Sequence, residues 1–471
     1  MISLRTLKAS LLFGLVPFLF GCATYNQRSA IYYKYIADGD YTTATKELDK
    51  IKLLQQPRNK LLLLMEKGRV NHLNKDYENS NLYFNQADSM LENGAGGGAM
   101  DAVVGTLVNP MAQSYKAEDF EKFMIHYYKA LNYLYLGKRE EAIVEARRIT
   151  LQAQEQGDKF NNKDSRYSKD AFSLNLQGLI YESDGDVNNA FIAYRNAADV
   201  YLSKKDSVWY GTKIPERLKY DLMNTAYLNG FTSELMQYEN LFNTKYQAAP
   251  KAEGGELVIF WENGHAPVKI QQEVTFTLIK GENGGWFFTD LGGTILVPFD
   301  VSSGGNFNFN SIQSLRAAYP KYVENVPYYN SATISNSNFE NAENINELAI
   351  ATLRQRFAKE MSKVLTRLAV KKAAEYGLRE SSKSKDKDGK NNSLLEGLAF
   401  GVQLYSLISE KADTRNWQSL PAEINYTRIP LLKGENKIDI ELKGPNGATE
   451  KKTLAIEGKG GLQFYNYATL K

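Results

Sequence analysis

The run Gly178-Leu179-Ile180-Tyr181-Glu182-Ser183-Asp184-Gly185-Asp186-Val187-Asn188-Asn189-Ala190-Phe191-Ile192-Ala193-Tyr194-Arg195-Asn196-Ala197 decides the fold. Its small and aromatic members, Gly178, Tyr181, Gly185, Asp186, Ala190, Tyr194 and Ala197, follow one another at offsets of 3, 4, 1, 4, 4 and 3. Steps of three and four place side chains on one helix face, and Gly185 marks a turn between two such faces, so the stretch reads as a pair of packed helices. Gly68, Asp76, Tyr77, Phe84 and Ala87 fill the same frame, with Lys75 and Ser80 where Gly and Ala are expected. Ala130, Tyr133, Gly137, Ala142 and Ala146 fill it again; Gly39, Asp40, Tyr41, Ala44 and Leu48 form an incomplete first copy, and a weaker one surrounds Gly230. Small residues let helix backbones approach, and aromatics fill the gaps between neighbouring units.

This spacing resembles the tetratricopeptide repeat, a helix pair of about 34 residues. The resemblance implies an N-terminal α-helical solenoid over residues 31–248, with a concave groove of the kind that holds peptides or partner proteins. Tyr133 and Tyr181 are candidate groove residues. The spacing of the turns at Gly39, Lys75, Gly137, Gly185 and Gly230 is uneven, and the excess falls chiefly in a Gly-rich apolar insertion at 92–115. No Gly-Lys-Ser/Thr follows its glycines, which argues against a nucleotide site.

Outside the repeats, the chain of 471 residues is 43% apolar, ample for real cores. It has one cysteine, Cys22, which excludes internal disulfides and cysteine metal clusters. His72, His126 and His265 have no second His or carboxylate pair at ligand spacing, so no metal site, cofactor or catalytic residue is expected. Arg5 and Lys8 precede an uncharged run from Ala9 to Phe20, which ends in Leu19-Phe20-Gly21-Cys22-Ala23. A basic start, a short apolar stretch and a small residue before the cleavage point are the parts of an export signal. The cysteine directly after them resembles the lipobox of bacterial lipoproteins. That resemblance implies a signal peptide at 1–21, a lipid on Cys22 and a tether at 22–30. Several acyl chains would hold the protein firmly on a bilayer. No acidic cluster follows Cys22, so the expected place is the periplasmic face of the bacterial outer membrane. Excision of Arg5 and Lys8 leaves 55 basic against 54 acidic residues, a balance that argues against nucleic acid as partner.

From Pro250 the texture turns to strands: Glu256 to Trp261, Val268 to Ile279, Trp286 to Thr289 and Thr294 to Phe299. A helix is expected from Ala342 to Tyr376, with Lys359, Lys363, Arg367 and Lys371 as a basic stripe. Residues 379–392 read as a linker, and Leu394 to Ile408 as an apolar segment too short to span a bilayer. Strand patterns return at Glu423 to Pro430, Lys437 to Leu442 and Lys452 to Ile456. The expected fold is therefore α+β: the helical solenoid, then a β-sandwich-like module at 250–471 with a helical insertion at 342–411.

The blocks Gly255-Glu256-Leu257-Val258-Ile259, Asn263-Gly264-His265-Ala266-Pro267-Val268-Lys269 and Glu410-Lys411-Ala412-Asp413-Thr414-Arg415-Asn416-Trp417-Gln418-Ser419-Leu420-Pro421 resemble a family of uncharacterised bacterial lipoproteins with tetratricopeptide repeats. The family implies an architecture and no established activity. Asp413, Arg415 and Trp417 are candidate binding residues, since Asp and Arg pair and Trp closes carbohydrate or peptide sites; the alternative is a structural corner in which Trp417 plugs the β module. Three functions stay open: a non-enzymatic envelope adaptor for a protein or peptide, a glycan-processing enzyme using Glu410, Asp413 and Trp417, and a purely structural lipoprotein.

Overall fold

A computed structural model describes residues 24–94, 110–161, 166–281, 284–299, 314–335, 337–383 and 411–471. The expected signal peptide at 1–21, Cys22, most of the Gly-rich insertion, the apolar segment at 394–408 and Glu410 lie outside the described residues.

Ten helices form five consecutive hairpins: α1 (Tyr25–Ala37) with α2 (Tyr41–Lys50), α3 (Lys60–Leu73) with α4 (Tyr77–Glu92), α5 (Asp119–Tyr135) with α6 (Arg139–Lys159), α7 (Ala171–Ser183) with α8 (Val187–Leu202), and α9 (Glu216–Leu228) with α10 (Thr232–Phe242). Every hairpin turns at the position the spacing marks. Gly39, Lys75, Gly137, Gly185 and Gly230 all have φ between 63° and 83°, a left-handed conformation that glycine enters without strain. Asp40, Asp76 and Asp186 then cap the second helix, each accepting from the backbone N–H three residues on. The small residues act as expected: a Cβ on Gly68 would stand 2.5 Å from the Phe84 ring, and one on Gly178 would stand 2.4 Å from the Tyr194 ring. The copies around Gly39 and Gly230, weak in sequence, are full hairpins.

The expected tether at 22–30 is corrected from Thr24 onward. Thr24 and Gln27 form a reciprocal cap, Tyr25 starts α1, and Tyr25 and Ser29 are wholly buried. The folded body thus begins two residues after Cys22.

The second half holds three four-stranded sheets. One has the order β10-β11-β3-β14, where β3 (Glu256–His265) pairs antiparallel with β11 (Pro421–Pro430) and parallel with β14 (Leu462–Thr469), and β10 (Glu340–Asn344) flanks β11. The next has the order β13-β12-β8-β9, from Thr449–Gly458, Gly434–Lys443, Ser331–Ile334 and Ser337–Asn338. The last, β6-β5-β4-β7, is built from Leu296–Phe299, Trp286–Asp290, Val268–Lys280 and Ser314–Val323 and packs on α11 (Ile345–Lys383). A two-stranded ribbon, β1 (Val208–Trp209) with β2 (Thr212–Lys213), lies in the linker between α8 and α9.

Strands before and after the helical insertion do meet, since β3 joins β11 and β14, whereas β4 to β7 form a separate sheet. The helix starts at Ile345 rather than Ala342, because residues 340–344 pair with β11 and the Asn344 side chain accepts from the Glu347 N–H. It runs on to Lys383, through the first residues read as linker. On the basic stripe Lys359 and Lys363 are exposed, but Arg367 is buried. No helix among the described residues is long and apolar enough to cross a membrane.

β3 is buried along nearly its whole length. Its alternate residues serve two cores. Leu257, Ile259 and Trp261 pack with Ile334, Ile440 and Leu442 of the neighbouring sheet, while Val258 and Phe260 join the helices. That second core is continuous from Tyr25 to Tyr238 and takes in Ile424, Tyr426, Ala342, Ile345 and Trp417. The two halves, distinct in sequence texture, share one interior.

Candidate functional site

The residues with the most unusual chemistry lie where the helical array meets the β10-β11-β3-β14 sheet. On α3, Glu66 and Arg69 follow the apolar run Leu61 to Met65, and both are fully buried. Arg69 Nη2 donates to Glu262 Oε2 at 2.5 Å, with both side chains shut off from solvent, and its Nε donates to the Ser419 carbonyl at 3.1 Å. Burial works against the Arg69 charge, but Glu262 outweighs it and holds the guanidinium more firmly protonated than usual. Tyr127 Oη donates to the other Glu262 oxygen at 3.0 Å, and the Arg69 guanidinium lies 4.5 Å from the Tyr128 ring centre. Glu66 accepts from Tyr32, Tyr33 and Ser419 at 2.9, 2.6 and 2.5 Å; burial raises its carboxyl above the ordinary range despite these bonds.

His72, one turn on, has two amide partners. Asn466 of β14 meets Nε2 at 2.8 Å and Asn132 meets Nδ1 at 2.6 Å. The Asn466 amide nitrogen is a donor, so Nε2 accepts and Nδ1 carries the proton. Burial first, then Arg69, pushes the ring down to about 3, which keeps it neutral. Farther along, Arg428 of β11 reaches Glu182 at 2.8 Å and Asp221 at 3.2 Å, on α7 and α9. Tyr201 donates to the Ala342 carbonyl at 2.6 Å. The bonds run from α1 to α9, so the face offered to a peptide by an open solenoid is here filled by the chain's own sheet.

The block at 411–421 closes one end of this seam. Trp417 is fully buried, its ring 5.8 Å from the Phe84 ring and 6.0 Å from that of Tyr128, and its backbone N–H donates to Glu121 at 2.9 Å. It plugs the helical array, not the β module. Arg415 is likewise buried and bidentate with Asp413, at 2.8 and 2.6 Å, and it extends to Asn59 and the Gln113 carbonyl. Trp417 and Arg415 are shut off from solvent, and the Asp413 carboxylate, partly exposed, is paired with Arg415. Tyr181 is buried in helix packing; Tyr133 is half-buried beside Asn85. The structure brings Asp413, Arg415 and Trp417 together, and separates them from Tyr133 and Tyr181 as a would-be groove. His265 closes β3, where burial pushes it down to about 4 and the Gln418 carbonyl lies 3.3 Å from Nδ1.

Two carboxylates nearby have opposite fates. Glu118 is held well below the usual range: burial opposes this, and Arg356 and Lys269 overcome it with direct ion pairs. Glu121, which accepts from Tyr115 Oη, the Glu118 N–H and the Trp417 N–H, is pushed up to about 7 by burial and then by Glu118.

Sequence reasoning missed a further cluster: Asp88, His126 and Glu145, from three helices, present ligand atoms within 4.8 Å of one another. Such a set could hold a cation, yet Lys129 already stands inside it. Its ammonium is 2.6 Å from Asp88 and 2.9 Å from Glu145, with Arg148 2.8 Å from Asp88. The donor set fits a buried ion-pair network better than a metal, which would have to displace the lysine.

No family model and no curated protein matches this chain. Among solved structures, kinesin light chain-type TPR-like repeats from Podosopora anserina are similar at 13% identity over 46% of this chain and 92% of theirs, with a TM-score of 0.31. A single-substitution form of those repeats gives 14%, 46%, 91% and 0.30. NprR in complex with its cognate peptide NprX is similar at 16% identity over 50% of this chain and 71% of its own, with a TM-score of 0.18. The repeat architecture stands on the five hairpins themselves.

Proposed function

We propose that the chain is a non-catalytic, lipid-anchored adaptor of the bacterial cell envelope that meets a protein partner at the open end of its helical array. The observation that carries this reading is the occupied concave face, with the Arg69–Glu262 pair sealed between array and sheet. A peptide could enter there only by displacing a buried ion pair and an aromatic core, so recognition belongs on the outer surface. The last hairpin is the best place. Solenoids stop cleanly when the terminal unit has a polar outer face. Here α9 and α10 leave Tyr227, Leu228, Met236 and Leu241 each more than half exposed. A helix or helix pair of a partner, stacking as the next unit of the array, is the occupant this surface fits.

The test places a photo-crosslinking residue at Met236 or Leu241 in cells, with Tyr133 as comparison. A discrete adduct from 236 and 241, and none from 133, supports the reading. Adducts from 133 alone would return the partner to the array's flank, and no adduct at any position would favour a purely structural lipoprotein. For the glycan-enzyme alternative, Asp413 is committed to Arg415, and Glu410 lies outside the described residues, so no observation favours it.

A further inference from the structure

The lipid anchor and the folded body are separated by very little chain. Cys22 and Thr24 are two Cα steps apart, a reach of about 7–8 Å, and Thr24 already caps α1. Whatever surrounds Thr24 must therefore lie close to the membrane that holds Cys22. This inference rests on the proposed lipidation and asks what that anchor does to orientation.

Asn26, two residues on from Thr24, is bonded to the start of β4, just past the turn from β3. Asn26 Nδ2 donates to the Lys269 carbonyl at 2.8 Å, and Asn26 Oδ1 accepts from Gln418 at 2.7 Å. From the other side Asn325 donates to the Ala266 carbonyl at 2.7 Å, and Val268 pairs with Val323 across the β4–β7 ladder. Three apolar side chains around this turn face solvent: Ile270 at 39%, Val323 at 40% and Val326 at 84% exposure. Exposed Lys321 pairs with Ile270 in the ladder, and exposed Glu324 follows Val323. Apolar side chains beside a long amphipathic lysine suit the boundary between headgroups and acyl chains, and the opposing Glu324 makes strong dependence on anionic lipid unnecessary.

We propose that the rim of Asn26, Ile270, Val323 and Val326 lies against the headgroup layer of the bilayer carrying the Cys22 lipid. β3 then points away from that surface. Its ten residues put the Glu256 end about 30 Å farther out. Leu432, 77% exposed, is at that far end, where Leu431 exchanges backbone bonds with Gly254 and Gly255.

The test uses the full acylated protein in phosphatidylethanolamine/phosphatidylglycerol vesicles. The sole native cysteine would be blocked by its own lipid, so single cysteines placed by Ile270→Cys, Val323→Cys and Leu432→Cys take an environment-sensitive probe without competition. Mass spectrometry of the N-terminal peptide and co-flotation with vesicles verify the anchor separately. The expected result is several-fold protection from a water-soluble quencher at 270 and 323, relative to the unlipidated Cys22→Ser form of each variant, and no change at 432. Equal quenching at all three positions in a verified lipoprotein would overturn the orientation and leave the anchor standing. A protein that carries no lipid on Cys22 and does not float would overturn the anchor and this inference with it.

Discussion

At the residue scale the molecule divides into groups whose partners are near in sequence and groups whose partners are not. Gly68 and Gly178 belong to the first kind. Each faces an aromatic ring of its own hairpin, Phe84 or Tyr194, so regular spacing made them legible. Gly68→Ala drives a methyl into the buried Phe84 ring and is expected to cost about 1–3 kcal/mol, measured by denaturant unfolding. Combining it with Phe84→Leu should recover part of the loss, since the ring is what the methyl meets. Arg69 and Glu262 are of the second kind, 193 positions apart. Arg69 lies among buried apolar residues of α3 and Glu262 in the apolar run of β3, and a charge in such a setting was the available signal; the identity of the partner was not in the local pattern. Glu262→Gln should leave the Arg69 charge sealed without a counter-ion and cost about 3–5 kcal/mol. A loss well under 1 kcal/mol in the same unfolding measurement would mean water reaches the pair.

At the element scale, what could be read depended on how strongly local chemistry dictates structure. All five hairpin turns repeat a left-handed residue, and three add an aspartate cap; both are local devices, so the turns fall where the spacing puts them. Asp186→Ala removes the bond to the Asn189 N–H and is expected to cost about 1 kcal/mol, seen as a lowered unfolding midpoint with little change in slope. Strands supported by distant pairing were harder. β7 carries Pro320 and reads poorly as a strand, but it lies at a sheet edge, where a missing N–H is tolerated. β14 mixes Gln, Asn and tyrosines without clean alternation; its place is set by parallel pairing with β3 and by Asn466 meeting His72. The 342–344 segment had helical composition on one side and a strand partner on the other, and the partner prevailed.

At the scale of the whole molecule, two textures in sequence became one body, because the sheet occupies the face that the helices would otherwise leave open. Falling and rising pH should act on this seam through different residues. His72 is held neutral, with a folded value of about 3 against a usual 6.5, so its contribution is present above pH 6.5 and is lost as pH falls toward 3. Glu121 is displaced the other way, to about 7 from 4.5, so its contribution is present below pH 4.5 and is lost as pH rises through 7. Unfolding measured from pH 4 to 9 should therefore show Glu121→Gln flattening the fall in stability between about pH 4.5 and 7, with no effect of the substitution on the slope above pH 7. The most direct test of the central claim is native-state hydrogen exchange on the whole protein, comparing core amides of α3, α5 and α7 with those of β3 and β11. A seam of buried ion pairs and one shared core predicts that both sets open together, with the same free energy and the same denaturant dependence. Separate opening, with the β3 amides exchanging at a free energy well below that of the helices, would contradict it and restore the concave face as an accessible groove.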